Sequence, residues 1–385
     1  MQFRDYIELP DASGNSFYYH PEQLTPIKEE IEEFLTLSPE ISDLHLAKKV
    51  LFSHEIQSNN QVEGYGYDVS LIEDVIKRKT QRVKSEVVKR RIENLYRGYQ
   101  YILRHRKIDE EHLRELYQIL SKDLIEYRDL IRMGEYYRTD TVYILRNGRL
   151  DDSAIDEGVL WTQIPYLIEK YFEFLHSLNF NESMTDEYIK SQIMHFYFVF
   201  IHPYFDANGR TSRTMALWYL LNKKDYPFII FNRGISFAGA KYGKLIADAK
   251  DTKDLTKFLN FMLETVKLEM EKETVMQTIA NNCNHRLNGV DYQTLLYFLS
   301  MKRNKTVTDF ASFYNQKNEK KRVFEIYKEM ILPLIEMDIL EVVGYSKKMF
   351  SPDLNNMFLE LNPQIVPKEE EMQLKRLKVF QSSKK

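Results

Sequence analysis

The chain has 385 residues, of which 43% are hydrophobic and 29% charged, and a formal net charge of −3 at pH 7. This length exceeds one average domain, and the charge excludes a globally basic nucleic-acid binder while still allowing a local basic patch. The lone cysteine, Cys283, excludes an internal disulfide framework and is typical of a reducing compartment. No apolar run approaches the roughly 20 residues that span a bilayer, and the first residues lack a signal-peptide core. We therefore expect a cytoplasmic protein without membrane association.

Helical patterns dominate the chain after its first 20 residues, which are mixed and turn-rich. The 26 Tyr and 23 Phe residues against only 13 Gly favour packed helices over a turn-rich β fold. Ser38-Pro39-Glu40 is typical of a helix start, and that helix should end near Glu63-Gly64. The other helices are predicted at roughly 21–37, 69–79, 83–104, 109–125, 160–178 and 186–200.

One short segment departs from the helical pattern. β-Branched and aromatic residues alternate over 139–145, and Asn147-Gly148 follows directly. Because Asn-Gly is the strongest short signal for a tight turn between strands, the segment 136–152 predicts a small β-hairpin inside an otherwise helical domain.

The pattern changes again after a polar break at 281–284. Helices are predicted at 292–301, 309–314 and 318–337, a short segment lies around Thr306, and strands are predicted at 339–343 and 348–350. Pro333 should kink or shorten the last of these helices. Three helices followed by a two-stranded wing are the order of a winged helix-turn-helix domain.

Basic residues gather at the start of the third helix of this domain, where a recognition helix would meet a groove in DNA. They are Lys317, Lys320, Lys321 and Arg322. Because winged helices also serve protein contacts, DNA or a protein is the expected partner of the domain.

The segment 201–213, Ile-His-Pro-Tyr-Phe-Asp-Ala-Asn-Gly-Arg-Thr-Ser-Arg, concentrates unlike polar groups in one turn between two apolar helices. Pro203 ends the first helix, and a helical pattern resumes over 211–221. Gly209 permits a ligand to approach the backbone closely, where the N–H groups and the dipole of the second helix favour an anion. The turn therefore predicts an anion-binding site.

The charged side chains of this turn fit a bound polyphosphate. Arg210 and Arg213 lie three residues apart on one helix face, which is unfavourable beside a helix N-terminus unless a polyanion is bound. Asp206 supplies a hard oxygen ligand suited to Mg²⁺, and His202 can act as a general base near neutral pH. These groups predict a site that holds a polyphosphate beside a metal ligand and a general base.

The turn resembles the signature loop of Fic-domain proteins, H-x-F-x-(D/E)-(G/A)-N-(G/K)-R-x-x-R, with Tyr204 where the family has Phe. The resemblance implies a mainly α fold, a Fic-type helical bundle with a β-hairpin flap, to which the small α/β winged helix-turn-helix domain is added. It also implies transfer of AMP from ATP to a hydroxyl side chain of a target protein. Gly209 favours nucleotidyl transfer, since members that resemble phosphate-transferring toxins carry Lys there.

The same resemblance implies a role for each residue of the loop. His202 would take the proton of the attacking hydroxyl, and Asp206 would hold Mg²⁺ on the α- and β-phosphates. The two arginines would bind the β- and γ-phosphates and favour the departure of pyrophosphate. The implied nucleotide-binding residues are Ala207, Asn208, Gly209, Arg210 and Arg213.

The segment Gly134-Glu135-Tyr136-Tyr137-Arg138, together with the hairpin after it, resembles the flap of the family. The resemblance implies that an edge strand of the flap holds a target peptide by strand addition. The residues expected to do so are Thr141, Val142 and Tyr143.

Residues 56–64 resemble the inhibitory helix motif (S/T)-x-x-x-E-(G/N), with Asn59 where Ser or Thr is expected. The resemblance implies that Glu63 pairs with Arg213 and blocks productive placement of the γ-phosphate. We therefore expect an autoinhibited enzyme.

Four regions are predicted along the chain: an N-terminal helical region over 1–105 with the inhibitory helix near 40–64, a catalytic core over 106–275, the winged helix-turn-helix over 285–360, and a charged tail over 361–385. The expected substrate is ATP with Mg²⁺, and the expected partner is a protein that offers a Ser, Thr or Tyr hydroxyl. A homodimer and self-modification are compatible with the sequence. The base specificity and any removal of AMP stay open.

Two other functions stay open as well. A DNA-binding regulator would use the winged helix and would only sense nucleotide through the Fic-like domain. A metal-dependent hydrolase would use His195, His202 and Asp206. However, His195 lies in an apolar helix and is better explained as a core histidine.

Overall fold

The computed structural model describes residues 4–37, 44–67, 69–78, 83, 85–145, 155–178, 180, 182–223, 231–238, 240–284, 305–315, 320–345 and 357–362. The chain divides into two units. One comprises Met1–Thr36 and Ile41–Lys267, and the other comprises Leu37–Glu40 and Leu268–Lys385. Within the described residues, no helix is both long and apolar enough to cross a bilayer.

The N-terminal residues form a β-hairpin that the sequence analysis does not predict. β1 (Asp5–Pro10) pairs antiparallel with β2 (Ser16–Tyr19). The Asp11 carboxylate closes the turn by accepting hydrogen bonds from two backbone N–H groups, both at 2.8 Å. Ile7 and Leu9 are buried and their neighbours are not, so the alternation expected of a half-buried strand is present in the sequence.

The rest of the first unit is mainly helical, as the sequence predicts. Its helices are α1 (Pro21–Leu37), α2 (Leu44–Val62), α3 (Val69–Ile76), α4 (Glu86–Arg104), α5 (Glu110–Ser121), α6 (Tyr127–Leu130), α7 (Ile164–His176), α8 (Met184–Ile201), α9 (Asn208–Leu221), α10 (Phe231–Ala238), α11 (Ala240–Thr252) and α12 (Thr256–Asn284), the last of which continues into the second unit. Side-chain caps fix the N-termini of several of these helices. The Ser85 hydroxyl accepts from the backbone of Val88 at 3.4 Å, and the Asp109 carboxylate accepts from that of His112 at 2.9 Å.

Helix α8 is almost wholly buried because apolar side chains surround it. It packs against α7 and α9, and α9 in turn contacts α2, α4 and α5. A hydrogen bond of 2.6 Å from the indole N–H of Trp218 to the carbonyl of His105 ties α9 to the end of α4. The turn between α8 and α9 is thus held by helices whose positions are fixed by burial.

A second hairpin follows α6. β3 (Tyr143–Leu145) pairs antiparallel with β4 (Ile155–Glu157), with Tyr143 opposite Glu157 and Leu145 opposite Ile155. The predicted hairpin over 136–152 is therefore wrong in its bounds, since β4 begins beyond residue 152. Asn147-Gly148 lies outside the described residues. The residues ahead of β3 form a turn instead of a strand, with the N–H of Gly134 bonded to the carbonyl of Tyr137 at 2.7 Å.

The second unit contains a three-stranded antiparallel sheet in the order β5-β7-β6. Its elements are β5 (Lys305–Thr306), α13 (Val307–Tyr314), α14 (Val323–Ile326), a π-helical turn (Tyr327–Ile331), α15 (Leu332–Glu336), β6 (Leu340–Tyr345) and β7 (Met357–Leu361). Apolar residues of the sheet and helices share one core, which includes Phe310, Ile331 and Leu359. The predicted helix at 292–301 and the predicted strand at 348–350 lie outside the described residues.

The third predicted helix of this unit is shorter than 318–337. The side chain of Asn315 bonds both backbone groups of Lys321 at 2.8 Å, which holds this residue outside the helix. Further along, the backbone N–H of Leu332 reaches back five residues to the carbonyl of Tyr327. Pro333 accounts for this π turn because its ring blocks regular helical bonding to the preceding turn.

Candidate active site

Two residues with left-handed backbone shape the turn between α8 and α9. His202 ends α8 with φ 51°, and Ala207 precedes α9 with φ 65°. Ala207 offers no side-chain cap, so the first N–H groups of α9 are open to another acceptor. Such a helix N-terminus favours an anion.

Asn208 and Tyr204 hold the turn in shape. The Asn208 side-chain oxygen accepts the backbone N–H of Tyr204 at 3.0 Å, and the amide nitrogen donates to the carbonyl of Tyr204 at 2.7 Å. The fully buried Tyr204 ring stacks on Tyr117 with centroids 3.5 Å apart. Its hydroxyl has no hydrogen-bond partner among the described residues. The ring therefore packs as the Phe of the family would, and the side chain of Asn208 organises the loop.

The imidazole of His202 is arranged to accept a proton. Its Nδ1 lies 3.3 Å from the carbonyl oxygen of Val199, which can only accept, so Nδ1 carries the hydrogen and Nε2 keeps its lone pair. Burial lowers the pKa of His202 to about 4, and the Arg138 cation acts in the same direction. The ring is therefore neutral at pH 7.

Asp206 lies at the exposed side of the turn. One carboxylate oxygen accepts the N–H of Ala207 at 2.6 Å, and the other accepts from Arg210 Nη2 at 3.1 Å. The Asp206 side chain is 49% exposed, whereas Arg210 is buried. A half-exposed carboxylate fits Mg²⁺, which commonly takes one or two carboxylates and completes its shell with water and phosphate oxygens.

Arg213 lies in the second turn of α9, its side chain is only 2% exposed, and it forms an ion pair with Glu63. Burial opposes ionisation of Glu63, but Arg213 and then Arg210 hold the pKa of its carboxyl below the ordinary value. Glu63 is therefore ionised at pH 7. The predicted pairing of Glu63 with Arg213 is present in the structure.

The Glu63 carboxylate also lies at the start of α9. A β-carbon added to Gly209 would fall 2.5 Å from Glu63 Oε1 and 3.0 Å from Arg213 Nη1. The glutamate thus occupies space directly beside the open helix N-terminus, where an anion would bind.

His195 is bonded at both ring nitrogens, to the hydroxyls of Ser212 (2.6 Å) and Tyr242. Burial lowers the pKa of His195 to about 3, so this ring is neutral. Among the described residues, no group of three His, Cys, Asp or Glu side chains could hold a metal ion. The structure therefore gives His195 the core role that the sequence favours.

The predicted flap residues differ in exposure. Val142 is buried, Thr141 is half-buried, and the Tyr143 side chain on β3 is 65% exposed. β3 pairs with β4 alone in a two-stranded sheet of the described residues, so its other edge is unpaired there.

Sequence reasoning missed two contributors to the site. Asn59 accepts hydrogen bonds from Arg213, and Arg138 donates to the carbonyl of His202. Both residues fall within segments that resemble the family, but neither motif assigns them these contacts.

These features define a helical domain in which a neutral histidine and an open helix N-terminus lie in one turn. Residues 107–220 match the model of the Fic/DOC family, so the chain contains a domain of this family. Proteins with this domain are generally transferases that bind a nucleotide substrate.

Solved structures show the same fold. A Fic family protein from Desulfovibrio desulfuricans G20 is 18% identical, with a TM-score of 0.55, over 88% of this chain and 95% of that chain. A form of Fic-1 from C. elegans is 14% identical, with a TM-score of 0.51, over 67% of this chain and 73% of that chain. At these identities the likeness concerns the fold alone.

Proposed function

We propose that the protein transfers AMP from ATP to a Ser, Thr or Tyr hydroxyl of a target protein. The observation that carries this proposal is that a neutral His202 and the uncapped N-terminus of α9 lie in the same turn. A base with an available lone pair and an anion site in one turn are the parts that attack on a phosphate ester requires.

In the proposed step, the hydroxyl oxygen of the target attacks the α-phosphorus of ATP. The bond from that phosphorus to the oxygen bridging the β-phosphate breaks, and pyrophosphate leaves with the bonding electrons. Nε2 of His202 takes the hydroxyl proton, a contribution of roughly 10²–10⁴ in rate for a well-placed base. Arg210 and Arg213 would stabilise the negative charge that develops on the leaving group.

Asp206 would hold Mg²⁺ against the phosphates of the substrate. Its carboxylate is half-exposed and supplies the hard oxygen that this ion prefers. When bound, Mg²⁺ neutralises phosphate charge. The ion would compete with Arg210 for this carboxylate, and the guanidinium would then be available to contact the phosphates.

The Glu63–Arg213 pair supports autoinhibition. An ionised carboxylate beside Gly209 repels a γ-phosphate, and it also occupies the guanidinium that would bind this phosphate. Activation then requires Glu63 to leave Arg213. Release of one charged hydrogen bond of about 1.5–3 kcal/mol corresponds to at least about a tenfold change in the competent population.

The unpaired edge of β3 would receive the target. Strand addition aligns a peptide by backbone hydrogen bonds without demanding one sequence, and exposed Tyr143 would contact its side chains. The same surface would serve a second copy of this chain in self-modification.

A labelling assay tests the proposal. Cell lysate is incubated with Mg²⁺, α-labelled ATP and either the wild-type chain, Glu63→Gly, or Glu63→Gly combined with His202→Ala. We expect label in protein bands with Glu63→Gly, about tenfold less with wild type, and none with the double variant. No label with Glu63→Gly would refute AMP transfer, whereas γ-labelled ATP in parallel detects phosphate transfer.

For the second unit we propose a winged-helix role in contacting DNA or a protein. Among its described residues, two helical segments are followed by β6 and β7, and this order supports the proposal. Lys321, from the predicted basic cluster, pairs with Glu329, which reduces the positive charge available to phosphates. Gel shifts at several salt concentrations test the DNA alternative, which requires binding that weakens as salt increases and survives His202→Ala.

A further inference from the structure

Arg138 is 1% exposed, and within the part of the chain that the structure describes its side-chain hydrogen bonds all go to backbone carbonyl groups. Its Nε donates to His202 at 2.9 Å, its Nη1 to Asp140 at 2.7 Å, and its Nη2 to Val159 at 2.6 Å. Its backbone N–H donates to the carbonyl of Pro203 at 3.0 Å. Among the described carboxylates, none lies within ion-pair distance of this guanidinium. A buried cation without an ion pair is costly, so its carbonyl contacts have to compensate.

Arg138 remains charged despite its burial. Burial lowers its pKa to about 10, which still leaves a cation at pH 7, and the neighbouring Asp140 opposes the decrease. A planar guanidinium offers five N–H donors in fixed directions. It can therefore bond three separate carbonyls from three different nitrogens, whereas the three N–H donors of Lys all lie on one nitrogen.

The three carbonyls belong to parts of the site that are distant in sequence. Asp140 precedes β3 and Val159 follows β4, so these two residues flank the β3–β4 hairpin. His202 carries the imidazole and has a left-handed backbone with φ 51°. A non-glycine residue keeps this strained conformation only where its surroundings impose it. Arg138 bonds the carbonyl of His202 and that of the residue after it, so it stabilises the backbone on both sides of this peptide.

We propose that Arg138 is a positioning residue that fixes the backbone of His202 relative to both ends of the β3–β4 hairpin. The inference rests on the proposed function, in which His202 is the base and the hairpin binds the target. A hydroxyl presented by a peptide on β3 would then meet Nε2 at a distance set by one rigid group. Fixed placement of reacting groups is a large source of rate enhancement.

Gly158 leaves the space that this arrangement needs. A β-carbon at Gly158 would lie 2.9 Å from Arg138 Nη2 and 2.6 Å from a methyl carbon of Val142. Gly158→Ala therefore offers a second way to displace the guanidinium while retaining its charge.

The kinetic test uses the Glu63→Gly chain with Arg138→Gln, Arg138→Lys or Gly158→Ala added, and α-labelled ATP with lysate protein. Arg97→Gln is the matched control, because Arg97 is an exposed arginine of α4 whose one ion pair among the described residues is with Glu93. We expect kcat for labelling to fall about 100-fold with Arg138→Gln and Arg138→Lys while the KM for ATP changes little. Gly158→Ala should lower kcat in the same direction, and Arg97→Gln should match its parent. An active parent whose kcat is unaffected by both Arg138 substitutions would overturn the inference.

A spectroscopic test needs no activity and so separates this inference from the proposed function. The ¹⁵N signals of the His202 ring at pH 7, assigned by their loss in His202→Gln, should show the Nδ1–H form bonded to Val199. In Arg138→Gln the carbonyl anchors are lost, and the ring should shift toward a mixture with the Nε2–H form. Circular dichroism identifies variants that fold, and Gly158→Ala gives the same readout if Arg138→Gln does not fold. An unchanged Nδ1–H form in the folded variants would overturn the inference, whether or not the parent labels protein.

Discussion

The side-chain oxygen of Asn59 accepts two hydrogen bonds from Arg213, one from Nε at 3.1 Å and one from Nη2 at 2.9 Å. Glu63, one helical turn further along, pairs with the same guanidinium. The amide nitrogen of Asn59 donates to the hydroxyl of Tyr99 at 3.1 Å, which fixes the orientation of the amide. Asn59 and Glu63 thus both hold the guanidinium of Arg213, and Asn59 stands where the motif has Ser or Thr.

Asn59→Ala should partly activate the chain. Loss of the two bonds would weaken the restraint on Arg213 by about 1.5–3 kcal/mol. Because the ion pair with Glu63 still restrains Arg213 in this variant, labelling should increase less than in Glu63→Gly. The comparison is the initial rate of protein labelling from α-labelled ATP. Asn59→Ser is the matched control, since its hydroxyl restores an acceptor and should restore most inhibition. Equal rates for wild type and Asn59→Ala would show that Asn59 does not restrain Arg213.

Tyr204→Phe should leave the free energy of unfolding unchanged or increase it by about 1 kcal/mol. The buried hydroxyl of Tyr204 has no partner among the described residues, so its removal ends a desolvation cost. Tyr197→Phe is the control, because that buried hydroxyl donates to the carbonyl of Pro10 at 2.7 Å and its loss should cost about 1 kcal/mol. Denaturant unfolding measures both, and a loss with Tyr204→Phe similar to that with Tyr197→Phe would show that the hydroxyl is satisfied.

Titration of His202 should not change the rate of labelling by Glu63→Gly between about pH 5 and 7. Burial lowers the pKa of this imidazole to about 4, so the base is already deprotonated across that range. Below it, protonation of Nε2 removes the acceptor and the rate falls. Glu63 and Asp206 both raise this pKa and Arg138 lowers it, so Glu63→Gly should move the inflection downward. An inflection near 6.5, the ordinary value, would contradict the assignment.

His195 should make the fold sensitive to acid. Burial, followed by the Arg213 cation, lowers its pKa from 6.5 to about 3. Between these values the unfolded chain binds one more proton than the folded chain, so the free energy of unfolding decreases as pH falls, by up to about 1.4 kcal/mol per pH unit. His195→Gln removes this contribution, and denaturant unfolding at pH 7 and 5 should show a smaller difference for the variant. If the free energy of unfolding changes equally between pH 7 and 5 in the two chains, His195 does not titrate in this way.

Asp206→Asn should lower labelling at least about tenfold. The amide can still accept the backbone bond of Ala207, so the turn is preserved while the ligand for Mg²⁺ loses its charge. Isothermal titration with ATP, with and without Mg²⁺, should show that the ion strengthens binding to Glu63→Gly but not to the same chain carrying Asp206→Asn. Equal strengthening by Mg²⁺ in both chains would exclude Asp206 as its ligand.

The turn at 202–213 could be predicted from sequence because its elements are local. Pro203, Gly209 and the two apolar helices around them determine the backbone, and the polar groups follow within a few residues. The interior role of His195 could be predicted on the same basis, from the apolar helix that carries it.

Contacts between distant segments are harder to predict. The pairing of Arg213 with Glu63 was expected only through a family motif, and the added bond to Asn59 depends on how α2 packs on α9. The hairpin bounds failed for a related reason. Asn147-Gly148 favours a tight local turn, whereas the observed register pairs Leu145 with Ile155.

A side chain at position 209 would compete with the Glu63 carboxylate for the same space. The carboxylate of Glu63 takes up the volume that any β-carbon at position 209 would require, although the two residues belong to different helical segments. Because that carboxylate is the end of a flexible side chain, a larger residue at 209 would push it away from Arg213 and leave the backbone in place. A substitution at position 209 would thus have the same effect on Arg213 as a substitution of Glu63 itself.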